Sequence, residues 1–204
     1  MADIKAIIFD LGGVLIDWNP KYVYRTIFDS EEKVEWFVTN ICSLAWNEEQ
    51  DGGRLISDAN ETLIAKHPEY EKEILAYYDR WEEMLNGSNE DVVKILRSLR
   101  DNPKYRIYAL TNWSAETFPK ALEQFDFLKW FEGIIVSGRE HLKKPDPAIY
   151  DLIVRRYQIN VESAIFIDDN QRNVDASNKY GLPAIRFETA KKLQKKLNEL
   201  GIDV

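Results

Sequence analysis

The chain has 204 residues, 45% of them apolar and 12% aromatic, which suffices for one packed domain with an insertion and excludes a disordered linker. Its net charge of −8 argues against a general nucleic-acid or anionic-membrane surface, because phosphate backbones select for an excess of Lys and Arg. Cys42 stands alone, so no internal disulfide can form, and no basic-then-apolar leader is visible, which makes a cytoplasmic location the expectation.

In chain order, residues 4–9 form a short β-branched apolar run that stops at Asp10-Leu11-Gly12-Gly13, the pattern of a buried strand ending in a loop. The apolar stretch 6–16 is interrupted by Asp10 and is too short to span a bilayer. From about 17 to 87 helical periodicity, many aromatics and no convincing strand predict helices over 21–28, 31–45, 57–66 and 70–85, with Asp51-Gly52-Gly53 as a turn. We read 17–87 as a small helical cap inserted into a core made of 1–16 and 88–204. The core resumes with a helix over 90–100, for which Ser88 and Asp91 stand in capping-box spacing. A second buried strand, 106–110, stops at Thr111-Asn112. A helix over 116–125 and a short strand over 133–136 follow. Asp146-Pro147 reads as an N-cap with proline at the first turn of a helix over 147–157. A third strand, 164–167, stops at Asp168-Asp169-Asn170, before a helix over 171–180, a strand over 184–187 and a last helix over 189–200. Strand alternates with helix, so the fold class is α/β with a parallel, Rossmann-like sheet flanked by helices.

In open parallel sheets ligands bind outside the carboxyl ends of the strands, which predicts that Asp10, Thr111 and Asp168-Asp169 converge on one pocket. Their chemistry is complementary. A carboxylate serves as nucleophile or metal ligand, a threonine hydroxyl binds a phosphoryl oxygen, and further carboxylates suit a hard cation. Lys144, just before the Asp146-Pro147 helix start, adds a fixed positive charge.

Phe9-Asp10-Leu11-Gly12-Gly13-Val14-Leu15, Leu110-Thr111-Asn112, Lys144-Pro145-Asp146-Pro147 and Ile167-Asp168-Asp169-Asn170 with Asn173 resemble, in order, the four motifs of the haloacid dehalogenase (HAD) superfamily. The helical insertion directly after the first motif is similar to that of the subgroup with a small cap. The resemblance implies a magnesium-dependent phosphatase of small phosphorylated metabolites, a sugar phosphate among them, that forms an aspartyl-phosphate on Asp10. It also implies the roles. Thr111, with Asn112, Gly13 and neighbouring amides, holds the phosphoryl oxygens, and Lys144 orients Asp10. Asp10, Asp169 and the carbonyl of Gly12 ligate Mg2+, while Asp168 does so directly or through water.

Gly12 departs from the pattern. Family phosphatases usually carry a general acid/base aspartate two positions after the nucleophile, and glycine has no proton to give. Positioned acid/base catalysis is worth roughly 100- to 10,000-fold, so a cap carboxylate, Glu48, Glu49 or Asp51, is the expected substitute unless the leaving group is an easy one. A 2-haloacid dehalogenase, whose halide leaves without a proton, and a phosphate-binding regulatory protein with little turnover are the alternatives. Trp18, Trp36, Trp46 and Trp81 read as core residues, with Trp46 singled out as the one expected to reach substrate. His67 and His141 stand too far apart in the sequence to suggest a metal site.

Overall fold

Both faces of the central sheet are covered, which is why its strands read as unbroken apolar runs. The structure, a computed structural model, describes residues 3–204. In chain order the strands are β1 (Ala6–Phe9), β2 (Ile16–Trp18), β3 (Leu85–Ser88), β4 (Arg106–Thr111), β5 (Gly133–Val136), β6 (Ala164–Asp168) and β7 (Ala184–Arg186). Five of them form a parallel sheet in the order β5-β4-β1-β6-β7, and β2 pairs antiparallel with β3. The helices α1 (Lys21–Tyr24), α2 (Glu31–Asn40), α3 (Leu44–Asp51), α4 (Ile56–Lys66) and α5 (Glu71–Asp79) lie between β2 and β3. The rest, α6 (Glu90–Asp101), α7 (Phe118–Gln124), α8 (Ser137–Glu140), α9 (Pro147–Arg156), α10 (Gln171–Tyr180) and α11 (Ala190–Glu199), follow the sheet strands. The fold class is α/β, with a Rossmann-like parallel sheet flanked by helices.

Successive strand residues point to opposite faces, and two apolar clusters follow from that alternation. Ile7, Phe9, Ile107, Ala109, Ile165 and Ile167 pack on one side, in a cluster that continues into the inserted helices through Tyr24, Phe37 and Tyr77. Ile8, Tyr108, Leu110 and Phe166 pack on the other, under Ile149, Tyr150 and Ile153 of α9. The chain leaves β1 toward β4 and β5 and later crosses back to β6 and β7. The reversal opens a crevice at the carboxyl ends of β1, β4 and β6.

The structure differs from the periodicity in several places. The helix expected over 31–45 is two helices, because Ser43 caps α3 by accepting a bond from the Trp46 amide at 3.2 Å. The helix expected over 70–85 stops at Asp79, and one 3-10 turn, Trp81–Met84, leads into β3. β2 and β3 were not expected in 17–87; with three and four residues and half-exposed faces they are too short to show alternation. Asp51 closes α3 and the turn begins at Gly52. Asn89, not Ser88, precedes α6, and the Ser88 hydroxyl bonds the Glu90 carboxylate at 2.5 Å.

Candidate active site

Parallel pairing sets Phe9 opposite Ala109 and Ile167, so the next residues, Asp10, Leu110 and Asp168, lie side by side at the carboxyl ends of the three central strands. Lys144 rises into this gap with no solvent exposure. Its Nζ lies 2.8 Å from Asp10 Oδ2 and 2.7 Å from Asp168 Oδ2, and it donates to the Leu110 carbonyl at 2.9 Å. Asn112 secures the lysine from behind: its side chain accepts from the Lys144 amide at 2.8 Å and donates to the Lys144 carbonyl at 2.9 Å. Asn112, expected among the substrate contacts, thus has both ends of its amide on the Lys144 backbone. It positions the lysine.

Asp168 is fully buried and accepts from Lys144, the Asn170 amide at 2.8 Å and the Asn173 side chain. Asp10 Oδ1 accepts from the Leu11 amide at 2.7 Å. Burial pushes the Asp10 carboxyl up from its ordinary range; Lys144 opposes the rise, and Asp168 and Asp169 add to it. Asp169 is likewise raised, by burial first and then by Asp168. Asp10, Asp168 and Asp169 each offer an oxygen within 4.8 Å of the others. Three carboxyl groups gather about one lysine, Asp10 and Asp168 buried and Asp169 exposed, and a hard divalent cation with oxygen ligands matches that donor set.

Gly13 has φ +74°, and a Cβ there would lie 2.5 Å from Asp169 Oδ2, so only glycine lets the loop approach this carboxylate so closely. Gly12 is the opposite case, since a Cβ there would meet nothing within 4 Å. The Thr111 hydroxyl is buried at the end of β4, the strand next to β1, without a hydrogen-bond partner among the described residues.

A profile described as haloacid dehalogenase-like hydrolase matches residues 4–181. The chain belongs to the haloacid dehalogenase-like hydrolases. Among its relatives are phosphatases. It is 28% identical over 183 residues to the sesquiterpene phosphatase astK of Aspergillus oryzae, covering 90% of this chain and 89% of the relative. It is 24% identical to the phosphorylated carbohydrates phosphatase of Thermotoga maritima over 89% of this chain and 84% of the relative. The HAD family enzyme bt-2542 of Bacteroides thetaiotaomicron, in complex with magnesium and inorganic phosphate, shares the fold with a TM-score of 0.67 and 21% identity, over 91% of this chain and 95% of that one.

In this HAD-like hydrolase the cleft is walled by α3. Leu44, Asn47, Glu48 and Asp51 recur at i, i+3, i+4 and i+7, so they form one stripe, and all four line the cavity of Asp10, Gly12 and Asp169. A second cavity, lined by Trp18, Tyr78, Trp81, Trp113, Ser114 and Thr117, shares Gly12, Trp18, Asn47, Asp51 and Asn112 with the first. Trp46 lies on another face of α3. It lines a separate surface hollow with Glu49 and Arg54, and its ring packs on Tyr77 and Tyr78 at centroid distances of 5.1 and 5.5 Å. The expectation that Trp46 reaches substrate is therefore corrected: one helical step of about 100° turns it away while Asn47 faces the cleft. Trp81, read from the sequence as core, is buried in it and also lines the second cavity, as does Trp18, which packs partly buried against the same cluster. Among the described residues, no helix is long and apolar enough to cross a membrane.

Proposed function

We propose that this protein is a magnesium-dependent phosphatase that hydrolyses a small phosphomonoester, a sugar phosphate first among the candidates, through an aspartyl-phosphate on Asp10. The observation that carries the proposal is the Asp10 carboxylate itself, at the open end of the sheet, with one oxygen on the Leu11 amide and the other on Lys144. Lys144 fixes the orientation of the nucleophile and offsets its repulsion from an anionic ester. The buried Thr111 hydroxyl, which has no partner among the described residues, is free to donate to a phosphoryl oxygen, with Gly13 and Asn112, which line the Asp10 cavity, as further contacts. Asp10, Asp169 and the Gly12 carbonyl would hold Mg2+, with Asp168 a ligand directly or through water. When bound, the ion supplies charge neutralisation to the phosphoryl group and the carboxylates. The inserted helices act as the cap, placing the organic part of the ester against Trp18, Tyr78, Trp81 and Trp113, whose faces suit the C–H faces of a sugar ring. A dehalogenase gains no support here, because displacement of halide has no use for the three-carboxylate cluster.

Phosphate release from a panel of sugar, aryl and prenyl phosphates, with magnesium and with chelator, tests this reading. The expected result is turnover that needs magnesium, is abolished in Asp10→Asn without loss of the folded state, and in Asp169→Asn requires far more metal. Undiminished hydrolysis by chelator-treated protein, or by Asp10→Asn, would overturn it.

A further inference from the structure

The leaving oxygen of a phosphate ester needs a proton, and Gly12 cannot give one. The acidic side chains that line the Asp10 cavity are Asp10, Glu48, Asp51 and Asp169. Asp10 and Asp169 belong to the carboxylate cluster around Lys144. Glu48 is an ion-paired strut between insertion and core, with Oε1 2.8 Å from Arg172 Nη2 and Oε2 3.6 Å from Lys143 Nζ. Glu49, the third acid of this segment, lies in the hollow behind α3, paired with Arg54 at 2.9 Å. Tyr78 donates its hydroxyl to Asn47 at 3.0 Å, and burial holds its pKa far above neutrality. Asp51 remains.

The geometry points to Asp51 as the general acid that protonates the leaving oxygen and the general base that then activates water, supplied by α3 in place of a carboxylate at position 12. Asp51 and Gly12 line both cavities, so Asp51 stands at the border between the space next to Asp10 and the aromatic space beyond. An ester with its phosphoryl group at Asp10 and its organic part against the tryptophans has its bridging oxygen at that border. The side chain is held in place. Asn47 donates to Asp51 Oδ2 at 3.0 Å, Tyr78 donates to the Asn47 oxygen, and Gln50, bonded to Arg54, donates to the Tyr78 hydroxyl at 3.0 Å. The Asp51 carbonyl accepts from Ser137 Oγ at the end of β5, at 2.5 Å, which ties this end of α3 to the sheet. Protonation state agrees with the geometry. Burial raises the Asp51 carboxyl to about 7, with Glu48 adding to the rise and Lys143, the Ser114 amide and Lys144 opposing it; Tyr77 and Tyr78 face it from α5. A carboxyl near 7 can give and take back a proton at neutral pH.

The inference rests on the aspartyl-phosphate reading. In the first step an Asp10 oxygen bonds to phosphorus while the bond from phosphorus to the ester oxygen breaks. The departing oxygen keeps that electron pair and takes the Asp51 proton, so the alcohol leaves. In the second step the Asp51 carboxylate removes a proton from water as the water oxygen bonds to phosphorus. The bond to Asp10 breaks, its electron pair returns to the Asp10 carboxylate, and phosphate leaves.

The test measures steady-state rates, with magnesium, for monoesters from p-nitrophenyl phosphate through phenyl phosphate to propyl phosphate. Wild type is expected to depend only shallowly on leaving-group pKa. Asp51→Asn, a neutral replacement of the same shape, should lose roughly 100- to 10,000-fold on the alkyl ester and far less in the first step on the nitrophenyl ester. There the slowed second step should appear as a burst of nitrophenol equal to the enzyme concentration. Adding Gly12→Asp to Asp51→Asn should restore alkyl turnover, since the space at position 12 is open. A steep dependence in wild type, or an equal loss on every ester in Asp51→Asn without a burst, would overturn the assignment. If instead wild type hydrolyses none of the esters, or Asp10→Asn hydrolyses them normally, the underlying phosphatase reading is what fails.

Discussion

Lys144 has no exposed surface and two carboxylates within 2.8 Å, so its charge is a fixed part of the site. Burial pulls its pKa down, but Asp10 and Asp168 together outweigh that and leave it raised. Asp51 is the contrasting residue, a carboxyl whose burial is only partly compensated. Its folded pKa of about 7 lies above the ordinary value of 3.8, so the folded state binds more protons than the unfolded state between those values. Its contribution is therefore favourable at low pH and is lost as pH rises from about 4 to 7. Asp51→Asn removes this titration. Denaturant unfolding at pH 4.5 and 7.5 should show wild type losing stability relative to the variant by a few kcal/mol, at about 1.36 kcal/mol per pKa unit. A stability difference that does not change with pH would contradict a neutral, half-buried Asp51 carboxyl in the folded state.

At the scale of elements, α3 has two working faces. The stripe of Leu44, Asn47, Glu48 and Asp51 meets the cleft, while Trp46 packs on Tyr77 and Tyr78 within the insertion. Trp46→Ala is expected to cost about 2–3 kcal/mol, below the full cost for a buried tryptophan because the ring is half-buried, with relative rates among esters unchanged. Trp18→Ala, at the border of both cavities, should change those relative rates more than it changes stability. Melting temperatures and a substrate panel on the two variants separate the roles. A change of selectivity confined to Trp46→Ala would reverse the assignment.

At the scale of the molecule, the inserted helices hang from the β2–β3 ribbon and close on the core through Glu48–Arg172, Lys143 on the Glu48 carbonyl at 2.8 Å, and Ser137 on the Asp51 carbonyl. Gly87 in β3 has φ +86° and open space around it, so the ribbon can bend there, next to Asp17 in β2. We expect the cap to open about this ribbon to admit substrate and to close over it. Labels on exposed Glu61 and Lys179 should report a distance distribution that narrows when magnesium and a phosphate analogue are added, and Arg172→Ala should shift it toward the longer distance. A distance that never changes would remove the cap from the mechanism.

The sequence by itself determined the sheet and what its strands present. Apolar runs of four to six residues that stop at Asp10, Thr111 and Asp168 can only be buried strands with polar ends, and parallel pairing then gathers those ends. What it left open depends on contacts between residues far apart in the chain. The ribbon of β2 and β3 is too short to leave a period, and its strands find each other only because the chain returns about 70 residues later. Whether Trp46 or Asn47 faces the cleft depends on where α3 begins, which the Ser43 cap decides within one residue. Glu48, Glu49 and Asp51 are equivalent acids in the sequence. Only tertiary packing distinguishes them, by giving Glu48 to Arg172, turning Glu49 outward to Arg54, and leaving Asp51 half-buried at the border of the two cavities, because burial and charge pairing belong to the assembled surface.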